Sequence, residues 1–210
     1  ENSKWEPRVG DSPLHDQPRY DVTIPYLRQL VGPLDYTPGA MMNATRAQFF
    51  GNNDHPMSQG TRAHQVAMYT IFDAPLQMLA DSPSKYMKEQ ATTDFISQIP
   101  TTFDETIPLD GQLGEYVVLA RRKGATWYIA AMTNWQPRDL DIRLDMLAGG
   151  SRQAELFADG INADHNAEDY KLDRQNLSRG DTLTIPMASG GGFVIKFAKP
   201  RSEEHTSELQ

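Results

Sequence analysis

The stretch "GEYVVLARRKGATWYIAAMTNW", residues 114 to 135, narrows the folds open to this chain more than any other. Two β-branched and aromatic runs flank Arg-Lys-Gly, the pattern of an antiparallel hairpin. The residues after Trp135 keep the same texture. "RDLDIRLDML" alternates Leu140, Ile142 and Leu144 against charges, as a half-buried strand of an antiparallel sheet does. "RQAELFADG", "DTLTIPMA" and "GGGFVIKFA" bring the total to about six or seven short strands, a spacing that predicts a small β-sandwich. "INADHNAEDYKLDRQNLSRG", residues 161 to 180, reads as a polar excursion between strands.

Before residue 100 the pattern is helical, with loops rich in Pro and Gly. "DVTIPYLRQLV", residues 21 to 31, opens on Asp21, suited to N-capping, and carries Val22, Ile24, Tyr26, Leu27, Leu30 and Val31. "TRAHQVAMYTIFDAPLQMLADSP", residues 61 to 83, is apolar nearly all round, as a buried helix is, and Pro75 should kink it or end its first segment. "TTDFISQIP" predicts one more short helix, stopped before Pro100.

Between these helices lies "GPLDYTPGAM", residues 32 to 41. Pro33 to Tyr36 suits a short extended segment, and Pro38-Gly39 breaks it sharply. An acid and a tyrosine at a strand's end, just before a loop, is where α/β barrels keep their working residues. The alternative is that Asp35 and Tyr36 only anchor a turn.

Composition removes several classes of function. The 28 acidic and 20 basic residues give a formal net charge of −8 with no basic face for nucleic acid. No run approaches the roughly 18 apolar residues of a membrane span. Cysteine is absent, which excludes disulfides, a thiolate nucleophile and a cysteine-based zinc site. The chain starts at Glu1 without Met or signal peptide and ends in "RSEEHTSELQ", which resembles a translated sequencing adapter. The expectation is a fragment of a longer gene, with residues 201–210 a non-native read-through tail.

"GPLDYTPGAM", "QVAMYTIFDAPLQMLADSPSKY", "TTFDETIPLDGQLGEYVVLARRKGATWYIAAMTNWQPRDLDI" and "ADGINADHNAEDYK" together resemble the C-terminal part of glycoside hydrolase family 97. The family contains bacterial calcium-dependent α-glucosidases and α-galactosidases. The resemblance implies α/β plus all-β: the C-terminal fragment of a (β/α)8 catalytic barrel over 1–100, then an antiparallel β-sandwich over 101–200. "GPLDYTPGAM" would then be the final barrel strand and its loop at the mouth of a sugar pocket.

Glycoside hydrolysis needs two carboxyl groups. The family's general acid sits in a loop that "ENSKW" matches, which implies Glu1 as proton donor. The nucleophile or base, an Asp or Glu, would lie upstream, outside this chain. Arg19-Tyr20 stands where family members commonly show Glu-His. The resemblance also implies Ca²⁺ at the active-site mouth, held largely by upstream glutamates, with Glu1 the one matching position here; hard oxygen ligands suit that ion.

Trp5 and Tyr36 are the sugar-stacking candidates at the barrel mouth, with Asp35 orienting the pocket. Trp135 is a further stacking candidate, although core packing explains Trp127 and Trp135 equally well. Asp164, Glu168, Asp169 and Asp173 lack the spacing of a calcium loop and read as a solvated loop. His15, His55 and His64 form no metal-ligand pair, and His64 reads as a satisfied core histidine.

These residues leave three functions from different classes. One is the C-terminal fragment of an exo-acting α-glycosidase on oligosaccharides, in the bacterial periplasm or secreted, inactive alone. Another is a non-catalytic sandwich for scaffolding, oligomerisation or carbohydrate binding. The third is an unrelated α+β binding protein whose Asp-Tyr and Trp motifs are structural. The sandwich is expected to fold cooperatively, and the first hundred residues to be loose, aggregation-prone or dependent on it.

Overall fold

The computed structural model describes residues 15–51, 54–147 and 150–197. Helix α1 spans Gln17–Leu27 and runs into a 3₁₀ turn, Arg28–Val31. Two-residue strands β1 (Asn43–Ala44) and β2 (Ser58–Gln59) pair in parallel. Helix α2 is Arg62–Ile71, and α3 (Pro83–Lys88) and α4 (Gln90–Ser97) come next. Then come β3 (Glu105–Gln112), β4 (Tyr116–Lys123), β5 (Thr126–Thr133), β6 (Arg138–Arg143), β7 (Ser151–Asp159), β8 (Tyr170–Ser178), β9 (Thr182–Met187) and β10 (Gly192–Phe197).

Six strands form one antiparallel sheet in the order β3-β4-β5-β10-β7-β8, and β6 with β9 forms a separate antiparallel ribbon. Period-two alternation explains how the sheet serves two cores. On β5, Trp127, Ile129 and Ala131 join the cluster with Leu140, Ile142, Ile185 and Met187 of the ribbon. Tyr128, Ala130 and Met132 point the other way, into the cluster with Val66, Met68 and Ile71 of α2. The helices thus cover the face that the ribbon leaves open, and β5 is buried on both sides.

Complementary charges clamp α2 at both ends. At its start Thr61 Oγ1 accepts from His64 N and donates to Asp159 Oδ1 at the end of β7. At its finish the buried Arg121 of β4 donates to the Thr70 and Phe72 carbonyls at 3.1 and 3.2 Å. Its guanidinium lies 4.2 Å from the Phe103 ring centroid. An anion at a helix N-terminus and a cation at its C-terminus both match the helix dipole.

Several sequence expectations change. The first helix begins at Gln17, not Asp21: Asp16 is the cap, accepting from Arg19 N at 3.1 Å, and Pro18 fits the first turn. The buried run from Thr61 is helical only to Ile71, well before Pro75. "GPLDYTPGAM" forms no strand ladder: Leu34 N donates to Asp73 O and Pro38 O accepts from Ala80 N, while the parallel pairing lies at β1 and β2. Apart from the short parallel β1–β2 pair, the described residues form antiparallel sheets, and they form no closed barrel. Lastly, β8 occupies much of the stretch read as a polar excursion, and β3 is an additional strand.

Candidate functional site

The centre of the helical half is a buried polar network around Asp21. One turn into α1, Gln17 and Asp21 lie on the same face, being four residues apart. Gln17 Nε2 donates to Asp21 Oδ1 at 2.8 Å and to Tyr36 Oη at 2.9 Å. Tyr36 Oη in turn donates to Asp21 Oδ1 at 2.9 Å. Across from them His64 Nε2 stands 3.3 Å from Asp21 Oδ2, and His64 Nδ1 stands 3.1 Å from the Gly191 carbonyl. Tyr36, Asp21 and His64 are all 0% exposed.

These contacts fix a proton count. A carbonyl only accepts, so His64 Nδ1 carries a hydrogen toward Gly191 O. Asp21 Oδ1 already receives two donors, as a carboxylate does. Nε2 and Oδ2, 3.3 Å apart, therefore share a further proton between them.

Asp159 forms a second buried acid beside this pair. It accepts from Thr61 Oγ1 at 2.6 Å, Ala188 N at 2.9 Å and Gly192 N at 3.1 Å. Burial pushes its carboxyl up to about 6, while those three donors and the nearby His64 pull it down. The folded state holds this proton up to about pH 6, whereas an unfolded Asp loses it near its usual value of 3.8. Between those values the native state binds more protons, so this group's contribution to stability falls as pH rises from about 4 to 6. Asp159→Asn should flatten that part of the pH dependence, as read from urea unfolding at pH 4, 5 and 6, each against the parent chain. An unchanged pH slope would refute the assignment.

The loop after Tyr36 is held from several sides. Gln65 Oε1 accepts from Gly39 N and Ala40 N, both at 3.1 Å. Tyr86 Oη donates to Gly39 O at 2.7 Å and Tyr69 Oη to Pro38 O at 3.1 Å. Burial pushes the Tyr86 phenol up to about 12 and that of Tyr69 higher still, so both remain donors. Asp81 Oδ2 accepts from Met41 N at 2.7 Å. Arg62, 1% exposed, reaches Asn43 Oδ1, the Met41 carbonyl and Glu89 Oε2 at 2.6, 2.7 and 3.0 Å. Gly39 sits at φ +84°, and a Cβ there would run into the Tyr69 hydroxyl. Gly39→Ala should cost about 2–4 kcal/mol, backbone strain and overpacking together. Urea midpoints at constant m would show it, and a loss below about 0.5 kcal/mol would contradict this packing.

Among the residues named from sequence, Tyr36 enters the network through its hydroxyl, and its ring meets Phe72 at 4.7 Å between centroids. Its neighbour Asp35 is exposed, on the outer side of the same segment. Glu1 and Trp5 lie outside the described residues. Asp21 is the central acceptor of the network rather than a cap, and His64 is the satisfied core histidine expected. Trp127 packs in the sandwich core, whereas Trp135 is only half buried. Asp164 accepts from Ser189 N and Asp169 from Asn162 N, so both brace loops. Glu168 lies 3.9 Å from Arg62. Among the described residues no three His, Asp or Glu side chains gather as a metal site, so these residues do not fit a calcium centre.

Sequence reading overlooked Gln17, Arg62 and Asp159. The available signal was polar side chains inside otherwise buried runs, as in "GTRAHQ". A groove of about 550 Å³ between α1 and β3–β4, lined by Tyr26, Ile71 and Leu119, holds none of the candidate residues.

Comparison with known proteins places these features. Residues 102–198 match a family model described as "Glycosyl-hydrolase 97 C-terminal, oligomerisation". A retaining alpha-galactosidase of Bacteroides thetaiotaomicron is 46% identical over 196 residues, 93% of this chain and 29% of that protein. A probable retaining alpha-galactosidase of Streptomyces bingchenggensis is 28% identical over 172 residues, 82% of this chain and 24% of that protein. A solved glycoside hydrolase family 97 enzyme from Pseudoalteromonas sp. strain K8, in complex with acarbose, superposes at TM-score 0.77 with 33% identity. It covers 86% of this chain and 28% of its own. A beta-arabinopyranosidase structure gives 0.70 and 27% identity over the same shares. The chain thus spans less than a third of the length of each of these relatives.

Proposed function

We propose, on the premise that this chain belongs to the C-terminal part of glycoside hydrolase family 97, that it completes an exo-acting α-glycosidase. The observation that carries the proposal is the extent of the match: 93% of the chain aligns with a retaining alpha-galactosidase, so the likeness includes the helical half as well as the sandwich. α-Galactosides are the favoured substrates, removed singly from the ends of oligosaccharides.

Residues 15–100 would be the last part of the catalytic barrel. The geometry supports that placement. The C-terminal end of the segment ending at Met41 and the N-terminus of α2 meet at Arg62. Strand ends and helix starts meet on the catalytic face of such barrels. Glu1 would donate the proton to the leaving oxygen, and the second carboxylate would come from upstream. Trp5, Asp35 and Tyr36 would shape the sugar pocket, with Tyr36 anchoring its segment through Asp21 and Gln17. Calcium, if bound, would be held mainly outside this chain, with Glu1 as the local contribution, and no step is assigned to it. The bacterial periplasm or the exterior is the proposed location.

The second reading is a non-catalytic oligomerisation module, favoured by the description of the family model over 102–198. One assay separates them. With calcium added, the protein extended upstream through the barrel should hydrolyse p-nitrophenyl α-galactoside, and the 210-residue chain should not. Clear turnover by the chain alone would overturn the incomplete-site reading. No turnover by the extended protein would favour the module.

A further inference from the structure

A polar cleft of about 570 Å³ opens between the start of α1, the loop after β1 and one end of the sandwich. Its walls include Asp16, Arg19, Arg46, Glu115, Trp135 and Arg138. We propose that this cleft is a remote saccharide-binding subsite in which Trp135 is the platform and Arg19 and Arg46 are the hydrogen-bond donors. The proposal rests on the glycosidase reading for its purpose, since a barrel's helix starts and post-strand loops lie on its catalytic face.

The platform is fixed in place. Trp135 O accepts from Ser189 Oγ at 2.7 Å, and the six-membered part of its ring lies against Gly190, where a Cβ would be 2.8 Å from Cζ3. The indole has no aromatic or cation partner among the described residues. The neighbouring wall is rigid as well. Asn134 Nδ2 donates to Gly114 O at 3.1 Å, and Asn134 Oδ1 accepts from Gln136 N at 2.8 Å. Arg138 is pinned by Glu115 at 2.7 Å and by Thr133 Oγ1 at 3.1 Å.

The donors are what remains. Arg19 and Arg46 are exposed, and neither forms an ion pair among the described residues. Three arginines against Asp16 and Glu115 leave the cleft with one net positive charge in a chain of −8. An amphipathic indole beside planar donors suits a pyranose, whose C–H face packs on the ring while its ring and hydroxyl oxygens accept. Leu113 continues the apolar floor at the outer edge.

The test tracks the indole N–H signals of the ¹⁵N-labelled 210-residue chain during titration with the galactose-terminated tetrasaccharide stachyose. Trp135→Phe identifies the Trp135 signal. That signal should move saturably while the signal of the core residue Trp127 stays. The double variant Arg19→Ala/Arg46→Ala should weaken apparent affinity about tenfold. A static Trp135 signal in a well-dispersed spectrum would overturn the proposal. Movement with an acidic peptide but not with the saccharide would overturn it too, identifying a protein-docking cleft. In the protein extended through the barrel, Trp135→Ala should raise KM for stachyose and leave kinetics on p-nitrophenyl α-galactoside unchanged. Equal effects on both substrates would also sink it. Binding by the chain is read without hydrolysis, so failure of this subsite and failure of the glycosidase reading are distinguishable.

Discussion

Asp21→Ala is expected to destabilise the chain by about 3–5 kcal/mol, because it removes the acceptor at the centre of a fully buried polar network that joins Gln17, Tyr36 and His64. The same change removes the Asp21 oxygen that accepts from the Tyr36 hydroxyl and from a Gln17 amide hydrogen, both in fully buried surroundings. Asp21→Asn should lose less. Its amide oxygen still receives Tyr36 and Gln17, and its NH₂ can donate to a neutral His64 that keeps the Nδ1 hydrogen toward Gly191. His64→Ala should be rescued in part by a second change at Asp21, since removing both partners leaves no buried polar atom of the pair unmatched. The measurement is a double-mutant cycle by urea unfolding, and the pair should couple by more than about 1 kcal/mol. Additive single changes, or an Asp21→Ala loss under about 1 kcal/mol, would show that Asp21 and His64 do not interact in the folded chain.

Glu1→Gln, made in the protein extended through the barrel, is expected to lower turnover of oligosaccharides by about 10²–10⁴-fold. An alkoxide leaving group needs the proton that Glu1 would supply, whereas a p-nitrophenolate leaves without it. The variant should therefore retain most of its activity on p-nitrophenyl α-galactoside. Equal losses on both substrates would exclude Glu1 as the proton donor. The contrast between leaving groups makes the test independent of simple misfolding, which would lower both together.

The period of the apolar pattern was enough to place β4 to β7, β9 and β10, because each buries at least one face and so alternates or runs apolar. It also placed α2, whose ten residues are all buried, and α4, bounded by Pro100. Motif content pointed to the family, and the comparisons agree with it over 93% of the chain. The two edge strands were illegible for a physical reason. Strand β8 ("YKLDRQNLS") is buried only at Leu177, and β3 carries Pro108 with a register shift beside it. Edge positions tolerate both features, so neither leaves an apolar period to read.

The site divides along similar lines. The residues at 32 to 41 announced a sharp turn, because Pro and Gly act through local backbone geometry, but the strand expected before it forms no ladder. The network beneath it depends on contacts across 15 to 127 positions of chain: Tyr36 with Asp21, Arg62 with Asn43, and His64 with Gly191. Asp21 was legible only as a helix cap because local rules apply to Asp near any helix start, and Asp16 took that role. The sequence by itself determined the strand pattern, the buried α2 helix and the family likeness, all of which rest on local periodicity or motif content. Only the tertiary structure decided that Asp21 faces His64, that Asp159 of the sandwich holds the Thr61 cap of the same helix, and that Trp135 lines a cleft, because each is a pairing between segments that no local pattern encodes.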